Sequence, residues 1–306
     1  MEMIKAEGLT KKYGETIAVD HLTFHVNKGE VFSLLGPNGA GKTTTIRMLC
    51  CLISKTEGSA TIGGYDISNR EDAMNIRKMI GIVHDNVGLY EALSAYENLE
   101  FFGRMYEYPV DRLRENIEKY LKMLELWDRK DRPVASFSKG MKQKVAVVRA
   151  LVHEPDILFL DEPTANLDPE AAKVIRDLIL DLKKENRTIF LNTHNLDEAQ
   201  RISTRIGVLN TRLIAMDTPQ NLESSVGNKR TTFVLEELDS NIIEAAKGST
   251  AKKIQTEGNT IIAEMLDPEK ETPILVNAIV KAGGKIKSVT ESGASLEEVY
   301  LKLVRE

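Results

Sequence analysis

Cysteine is nearly absent: the only two, Cys50 and Cys51, are adjacent. Neighbours in a helix are poorly placed to bridge, which excludes a disulfide scaffold, and two thiols suit a reducing cytosol. The pair reads as apolar helix filler. The first residues, Met1-Glu2-Met3-Ile4-Lys5-Ala6-Glu7, hold no apolar core of signal-peptide length. No run approaches the roughly 18 apolar residues of a membrane span, so work at a membrane would need another chain to cross it. Positive charge is not in excess either. Lys and Arg number 41 against 46 Asp and Glu, a net charge of −5, which argues against bulk binding to nucleic acid. Basic stripes, zinc-ligand patterns and sustained heptads are all missing. What remains is the composition of a soluble globular protein, 42% hydrophobic and 28% charged over 306 residues, long enough for about two domains.

Against this background one stretch stands out: Gly36-Pro37-Asn38-Gly39-Ala40-Gly41-Lys42-Thr43. It has the phosphate-loop pattern, and its flanks agree with that reading. Val31-Phe32-Ser33-Leu34-Leu35 before it reads as a buried parallel strand, and Thr44-Thr45-Ile46-Arg47 after it as the opening of a helix. Glycines let backbone N–H groups turn inward around phosphate oxygens, and the helix N-terminus adds its positive dipole end. Lys42 is placed to reach the β- and γ-phosphates, and Thr43 to set its hydroxyl on Mg²⁺.

Three further short apolar runs end on polar residues. Ile80-Gly81-Ile82-Val83 ends on His84-Asp85, Ile157-Leu158-Phe159-Leu160 on Asp161-Glu162-Pro163, and Thr188 to Thr193 on His194. In open α/β sheets ligands bind outside the carboxyl ends of the strands, so Gly36, Asp85, Asp161, Glu162 and His194 are expected to converge. Asp161 is the metal-side carboxylate. Glu162, pointing another way, is the group to orient or deprotonate an attacking water. His194 is placed to bond the γ-phosphate and that water.

The remaining segments supply context. Residues 1 to 30 alternate as antiparallel strands do, with Tyr13 in the bend, where it either stacks on a nucleobase or covers a sheet edge. From about 94 to 132 the period turns helical, an insertion into the α/β core. Ser138 reads as an N-cap, with Lys139, Lys142 and Lys144 about the helix start. Leu178 and Leu182, with Val174 and Leu180, mark a crossover helix. A polar linker is expected from Asp217 to Lys229. Beyond it the order strand, helix, strand, strand, helix, strand, helix suggests a split βαβ module of the ferredoxin-like kind, with one helix opening at Pro273 and the last at a capping box from Ser295 to Glu298.

The phosphate loop, Phe137-Ser138-Lys139-Gly140-Met141, Leu160-Asp161-Glu162-Pro163-Thr164, Asn166-Leu167-Asp168 and Thr193-His194 stand in the order of an ATP-binding cassette ATPase. The resemblance covers about residues 1 to 220. It implies an α/β core with a mixed sheet flanked by helices, an antiparallel β subdomain and a helical subdomain at about 86–137, with residues 221–306 forming an accessory α+β domain. It implies ATP and Mg²⁺ as cofactors, with Gly36, Pro37, Asn38, Gly39, Ala40, Gly41, Lys42, Thr43 and Thr44 around the phosphates, and Thr43, Asp161 and Asp85 on the metal side. Catalysis falls to Glu162, His194 and Lys42. The family forms head-to-tail dimers, so Ser138 and Gly140 of one copy would contact the γ-phosphate held by the other, with Asp168 across the interface. A homodimer is expected. Tyr13 matches the adenine-stacking position.

The signature segment reads Phe-Ser-Lys-Gly-Met where the family usually has Leu-Ser-Gly-Gly-Gln, a variant similar to that of single-cassette exporter ATPases of drug, antibiotic, lipid or sodium efflux. An exporter motor docked, through the surface around 88–106, on a separate polytopic permease at the inner face of the cell membrane is therefore expected, with no nucleic-acid partner. Two other classes compete. Soluble translation or DNA-repair cassettes usually carry two cassettes or a coiled coil, and this chain has one phosphate loop. A non-hydrolysing regulatory subunit is disfavoured by Glu162 and His194 and kept open by Asp85, which stands where the family has a metal-touching glutamine. An Asp is shorter and charged, unless a shifted loop leaves it merely solvated. ATP binding should therefore depend more strongly on Mg²⁺ in this chain than in an Asp85→Gln variant, and superimposable Mg²⁺ titrations of the two would refute this.

Overall fold

Ile4, Ala6 and Leu9 in β1 (Glu2–Tyr13) and Leu22, Phe24 and Val26 in β2 (Thr16–Asn27) are buried, with polar neighbours turned outward. This period of two gives each strand one inward face, and the pair is antiparallel, as expected. The architecture comes from a computed structural model, which describes residues 1–84, 87–225, 229–249, 251, 253–292 and 296–305. These form two units, Met1–Thr218 and Pro219–Glu306.

In the first unit, β3 (Val31–Leu35) leads through the glycine loop into α1 (Lys42–Leu49). Then β4 (Glu57–Ile62) and β5 (Tyr65–Asp66) complete an antiparallel sheet in the order β2-β1-β4-β5. Next come α2 (Arg70–Met79), β6 (Ile80–Val83) and the helical insertion, α3 (Ala95–Met105) and α4 (Val110–Met123). A capping box of Ser94 and Glu97 starts α3. The core resumes with α5 (Lys139–Leu151), β7 (Ile157–Asp161), α6 (Pro169–Lys184), β8 (Thr188–Thr193) and α7 (Leu196–Ile202). It ends with a hairpin, β9 (Arg205–Asn210) and β10 (Arg212–Asp217), which has no counterpart among the expected elements.

The second sheet runs β10-β9-β3-β8-β7-β6, parallel except that β10 is antiparallel to β9. It is thus mixed, and every residue of β3, β7 and β8 is buried. Because β3, β8 and β7 are neighbours, the loops after them emerge side by side. Phe24, Phe32, Phe159 and Phe190 pack between the layers at centroid separations of 5.4 to 5.8 Å. The crossover helix α6 buries Ala171, Ile175, Leu178, Ile179 and Leu182, while Val174 and Leu180 lie at the margin of that stripe.

Pro219–Ser225 is helical (α8) where a polar linker is expected; a proline is well suited to a first helical position. In the second unit follow β11 (Lys229–Leu235), α9 (Ser240–Lys247), β12 (Lys253–Glu257), β13 (Thr260–Met265), α10 (Pro268–Lys281), β14 (Ile286–Ser292) and α11 (Leu296–Arg305). The sheet order β12-β13-β11-β14, antiparallel throughout, is that of a ferredoxin-like unit. Helix α10 starts at Pro268, so Pro273 lies inside it and forgoes one backbone bond. Of the expected final capping box, Ser295 lies outside the described residues, and Glu298 accepts from Arg230 Nη1 at 2.6 Å.

Histidine 153, just beyond α5, joins the insertion to the core. Its ring stacks on Tyr106 at 3.8 Å and its Nε2–H donates to Ile80 O at 3.0 Å. The buried Nδ1 has no partner among the described residues. Burial pulls its pKa below the usual 6.5, with the Ile80 bond opposing. The unfolded chain therefore takes up this proton near pH 6.5 and the folded chain only at lower pH. Stability from this group is intact above about 6.5 and falls as pH drops from there to the folded value, by at most about 1.4 kcal/mol per pH unit. A His153→Gln variant, which keeps a donor but cannot charge, should show a flatter dependence of its urea midpoint on pH in that window.

Candidate active site

The glycine loop is shaped by close approaches. A Cβ at position 36 would stand 2.3 Å from Leu209 O, and one at Gly41, whose φ is +98°, would stand 2.3 Å from Ala18 O. The β9–β10 turn supports the loop from behind: the Thr211 N–H donates to Ala40 O at 3.0 Å, and Asp20 N–H to Thr211 O at 2.8 Å. No side chain caps α1 at Gly41, so its first amide groups are the kind that an anion satisfies. Residues Pro37 to Thr44 line a cavity of about 190 Å³ with Ala18 and Glu162. Lys42 is buried beside it. Its Nζ donates to Gly36 O at 2.6 Å and Pro37 O at 3.2 Å, and lies 3.7 Å from Glu162 Oε1.

Asp161 and Glu162 are neighbours in sequence that face different spaces. Glu162 has φ 51°, a left-handed conformation uncommon outside glycine. Its carboxylate accepts from His194 Nδ1–H at 2.8 Å, next to Lys42. Asp161 lines a second cavity, about 510 Å³, with Thr43, Arg47 and His84. Its Oδ1 accepts from Asn192 Nδ2–H at 2.9 Å, and its buried Oδ2 has no partner among the described residues. Asn192 escapes the sequence reading; its one signal there is a polar side chain inside an apolar strand.

Ser138, Gly140 and Asp168 form a separate group. Ser138 Oγ accepts from Met141 N–H at 3.2 Å and Asp168 Oδ1 from Ala171 N–H at 2.8 Å, so each caps a helix. With Glu125, Arg129 and Lys144 they line a cavity of about 230 Å³ that shares no residue with the phosphate-loop cavity. The lysines about the α5 start are partly neutralised, Lys142 by Glu91 at 2.6 Å and Lys144 by Glu125 at 3.7 Å. Tyr13 closes β1, 49% exposed, with Lys11 Nζ 4.9 Å from its ring centroid, and lines none of these cavities. Asp85 lies outside the described residues.

A glycine loop joining a parallel strand to a helix, its lysine, and a carboxylate closing a second strand of that sheet define a phosphate-loop nucleoside triphosphatase. The ABC transporter family matches residues 19–165. Over 98% of its length the chain is 33% identical to 92% of the daunorubicin/doxorubicin resistance ATP-binding protein DrrA of Streptomyces peucetius. It is 32% identical, again over 98% of its length, to 93% of the Nod factor export ATP-binding protein I of Ralstonia nicotianae. Among solved structures, the dimeric ATP-binding cassette MJ0796 in a post-hydrolysis state with ADP and Pi superposes with a TM-score of 0.64, at 29% identity, covering 71% of this chain and 98% of that one. The chain belongs to the ABC transporter family, as an ATP-binding cassette subunit that hydrolyses ATP.

Proposed function

We propose that this chain is the motor of an exporter, working as a head-to-tail pair on a separate polytopic permease at the cytoplasmic face of the cell membrane. The observation that carries this reading is the reach of the likeness: resistance and export ATP-binding proteins match it across both units, not in the cassette alone. No helix among the described residues is long and apolar enough to cross a membrane, which assigns the path to another chain. The pairing is supported by the division of the site. Ser138, Gly140 and Asp168 face one cavity and the phosphate loop another, and a second copy turned head to tail would bring the two sets onto one nucleotide.

In this reading Tyr13 stacks on the adenine and the amides of 36 to 44 cradle the phosphates, with Lys42 exchanging loop carbonyls for β- and γ-oxygens. A Mg²⁺ ion fits the chain: Thr43 and Asp161 line one cavity, the carboxylate keeps a buried oxygen without a partner among the described residues, and Asp85 joins them by sequence. When bound, the ion supplies positive charge against that developing on the transferred phosphoryl group. Glu162 orients the attacking water and takes its proton, and His194 holds that carboxylate in place. Ser138 Oγ accepts the helix amide and still carries its own proton for the γ-phosphate of the facing copy.

The docking face for the permease is an aromatic patch on and beside α3. Tyr90, Phe101 and Phe102 contact one another at 5.2 to 5.8 Å between centroids, and Tyr90 (51%), Phe101 (41%) and Met105 (67%) are exposed. Arg149 stiffens the patch, its guanidinium 4.9 Å from the Phe102 ring and donating to the carbonyls of Val87 and Gly88 at 2.7 Å. Such a surface suits an apolar helix of a partner.

Replacing Glu162 with Gln should lower ATP turnover by about 10²–10⁴ while ATP still binds. Light scattering of that variant with ATP and Mg²⁺ should show paired chains; single chains only would overturn the pairing and the motor reading with it. A Phe101→Asp variant should bind ATP as before yet fail to co-purify with the permease, and undiminished co-purification would move the docking face elsewhere.

A further inference from the structure

Beneath the catalytic rim lies a buried carboxylate that the reading above leaves unused. Glu198, in the first turn of α7, is 2% exposed. Thr164 Oγ1–H donates to its Oε1 at 2.8 Å, and Thr193 Oγ1–H to its Oε2 at 3.0 Å. Thr164 follows Glu162 by two residues, and Thr193 immediately precedes His194. Each oxygen of one carboxylate therefore grips the loop that bears one of the two proposed catalytic side chains. The grip is itself fixed. Asn195 N–H donates to Thr193 Oγ1 at 3.0 Å, which points the hydroxyl proton at the carboxylate, and Asn195 Oδ1 accepts the amide of Glu198 at 3.1 Å. Burial raises the pKa of Glu198, opposed by the two hydroxyls, as expected of a carboxylate held away from water by neutral donors.

The loop after β7 needs such a restraint. Glu162 and Asn166 both have left-handed backbones, with φ 51° and 57°, and non-glycine residues held there cost about 1–3 kcal/mol each unless their surroundings enforce it. The backbone supplies part of that enforcement: Glu162 N–H donates to Asn192 O at 3.0 Å and Ala165 N–H to Glu162 O at 3.1 Å. The only side-chain tie from this turn to the loop after β8, other than the Glu162–His194 contact, runs through Glu198 among the contacts of the described residues.

We propose that Glu198 is a positioning residue for ATP hydrolysis: by clasping Thr164 and Thr193 it sets where the Glu162 carboxylate stands relative to His194. It touches neither water nor phosphate. This rests on the assignment of Glu162 as the group that activates water. A displacement of about 1 Å at such a group is worth on the order of 10²-fold in rate, with little effect on ground-state binding.

The test compares Glu198→Ala, Glu198→Gln, Thr164→Val and Thr193→Val in the full-length chain, with ATP affinity, KM, kcat and thermal midpoint measured for each. Glu198→Ala should lose about 10- to 100-fold in kcat, with KM and ATP affinity within about threefold. Glu198→Gln keeps one acceptor and offers its amide to a threonine hydroxyl that can rotate to accept, so it should recover most of kcat. Each valine variant should show a smaller loss confined to kcat. Where Glu198→Ala fails to fold, the valine variants decide alone. Unchanged kcat in the folded clasp variants, a loss in KM instead, or a Gln variant as slow as Ala at an unchanged thermal midpoint would each overturn the proposal. Failure of the underlying assignment looks different: Glu162→Gln would then itself retain turnover.

Discussion

Two carboxylates have to stand next to each other at the mouth of a site built for a polyanion, and the fold resolves that conflict by geometry. Asp161 completes a buried strand and Glu162 follows in a left-handed conformation, so adjacent residues face separate cavities. Each is then met by a different partner. Asn192 donates to the first, His194 to the second, and Lys42 lies close to the second as well. Donors fixed in this way compensate for lost hydration without moving when the ligand arrives, which is what preorganised electrostatics requires. The order β3-β8-β7 in the sheet makes the arrangement possible, because it sets the lysine-bearing loop, the histidine and both carboxylates on three adjoining strands.

Economy of means marks the other half of the site. Ser138 and Asp168 each start a helix by accepting one of its first amides. The same two side chains are those that would face the second copy. Folding thus orients them before any partner is present, and their rotamers are already restricted when the pair closes.

Much of this was legible in the sequence because the chemistry is local. The phosphate loop, the strand endings at Asp161 and His194, and the split βαβ order of the second unit are read from contiguous residues. What escaped depends on contacts made across the chain. Asn192 acquires its meaning from Asp161, 31 residues away, and Glu198 from Thr164, 34 residues away. The hairpin of β9 and β10 was missed because β10 shows no buried residue to set its period. Helix α8 hid in a polar stretch whose Leu222 alone is fully covered, and α10 started early because a proline that reads as a breaker sits at a first-turn position that tolerates it.

Short hairpins at the edge of a sheet are ordinarily where chains accept added residues and where fusions are tolerated. The turn between β9 and β10 is an exception. The Leu209 carbonyl occupies the volume that any side chain at position 36 would need, and the Thr211 amide holds the carbonyl of Ala40. An insertion in that turn would therefore register as weakened nucleotide affinity, although none of its side chains need meet the ligand, and loop and hairpin can diverge in related chains only in concert.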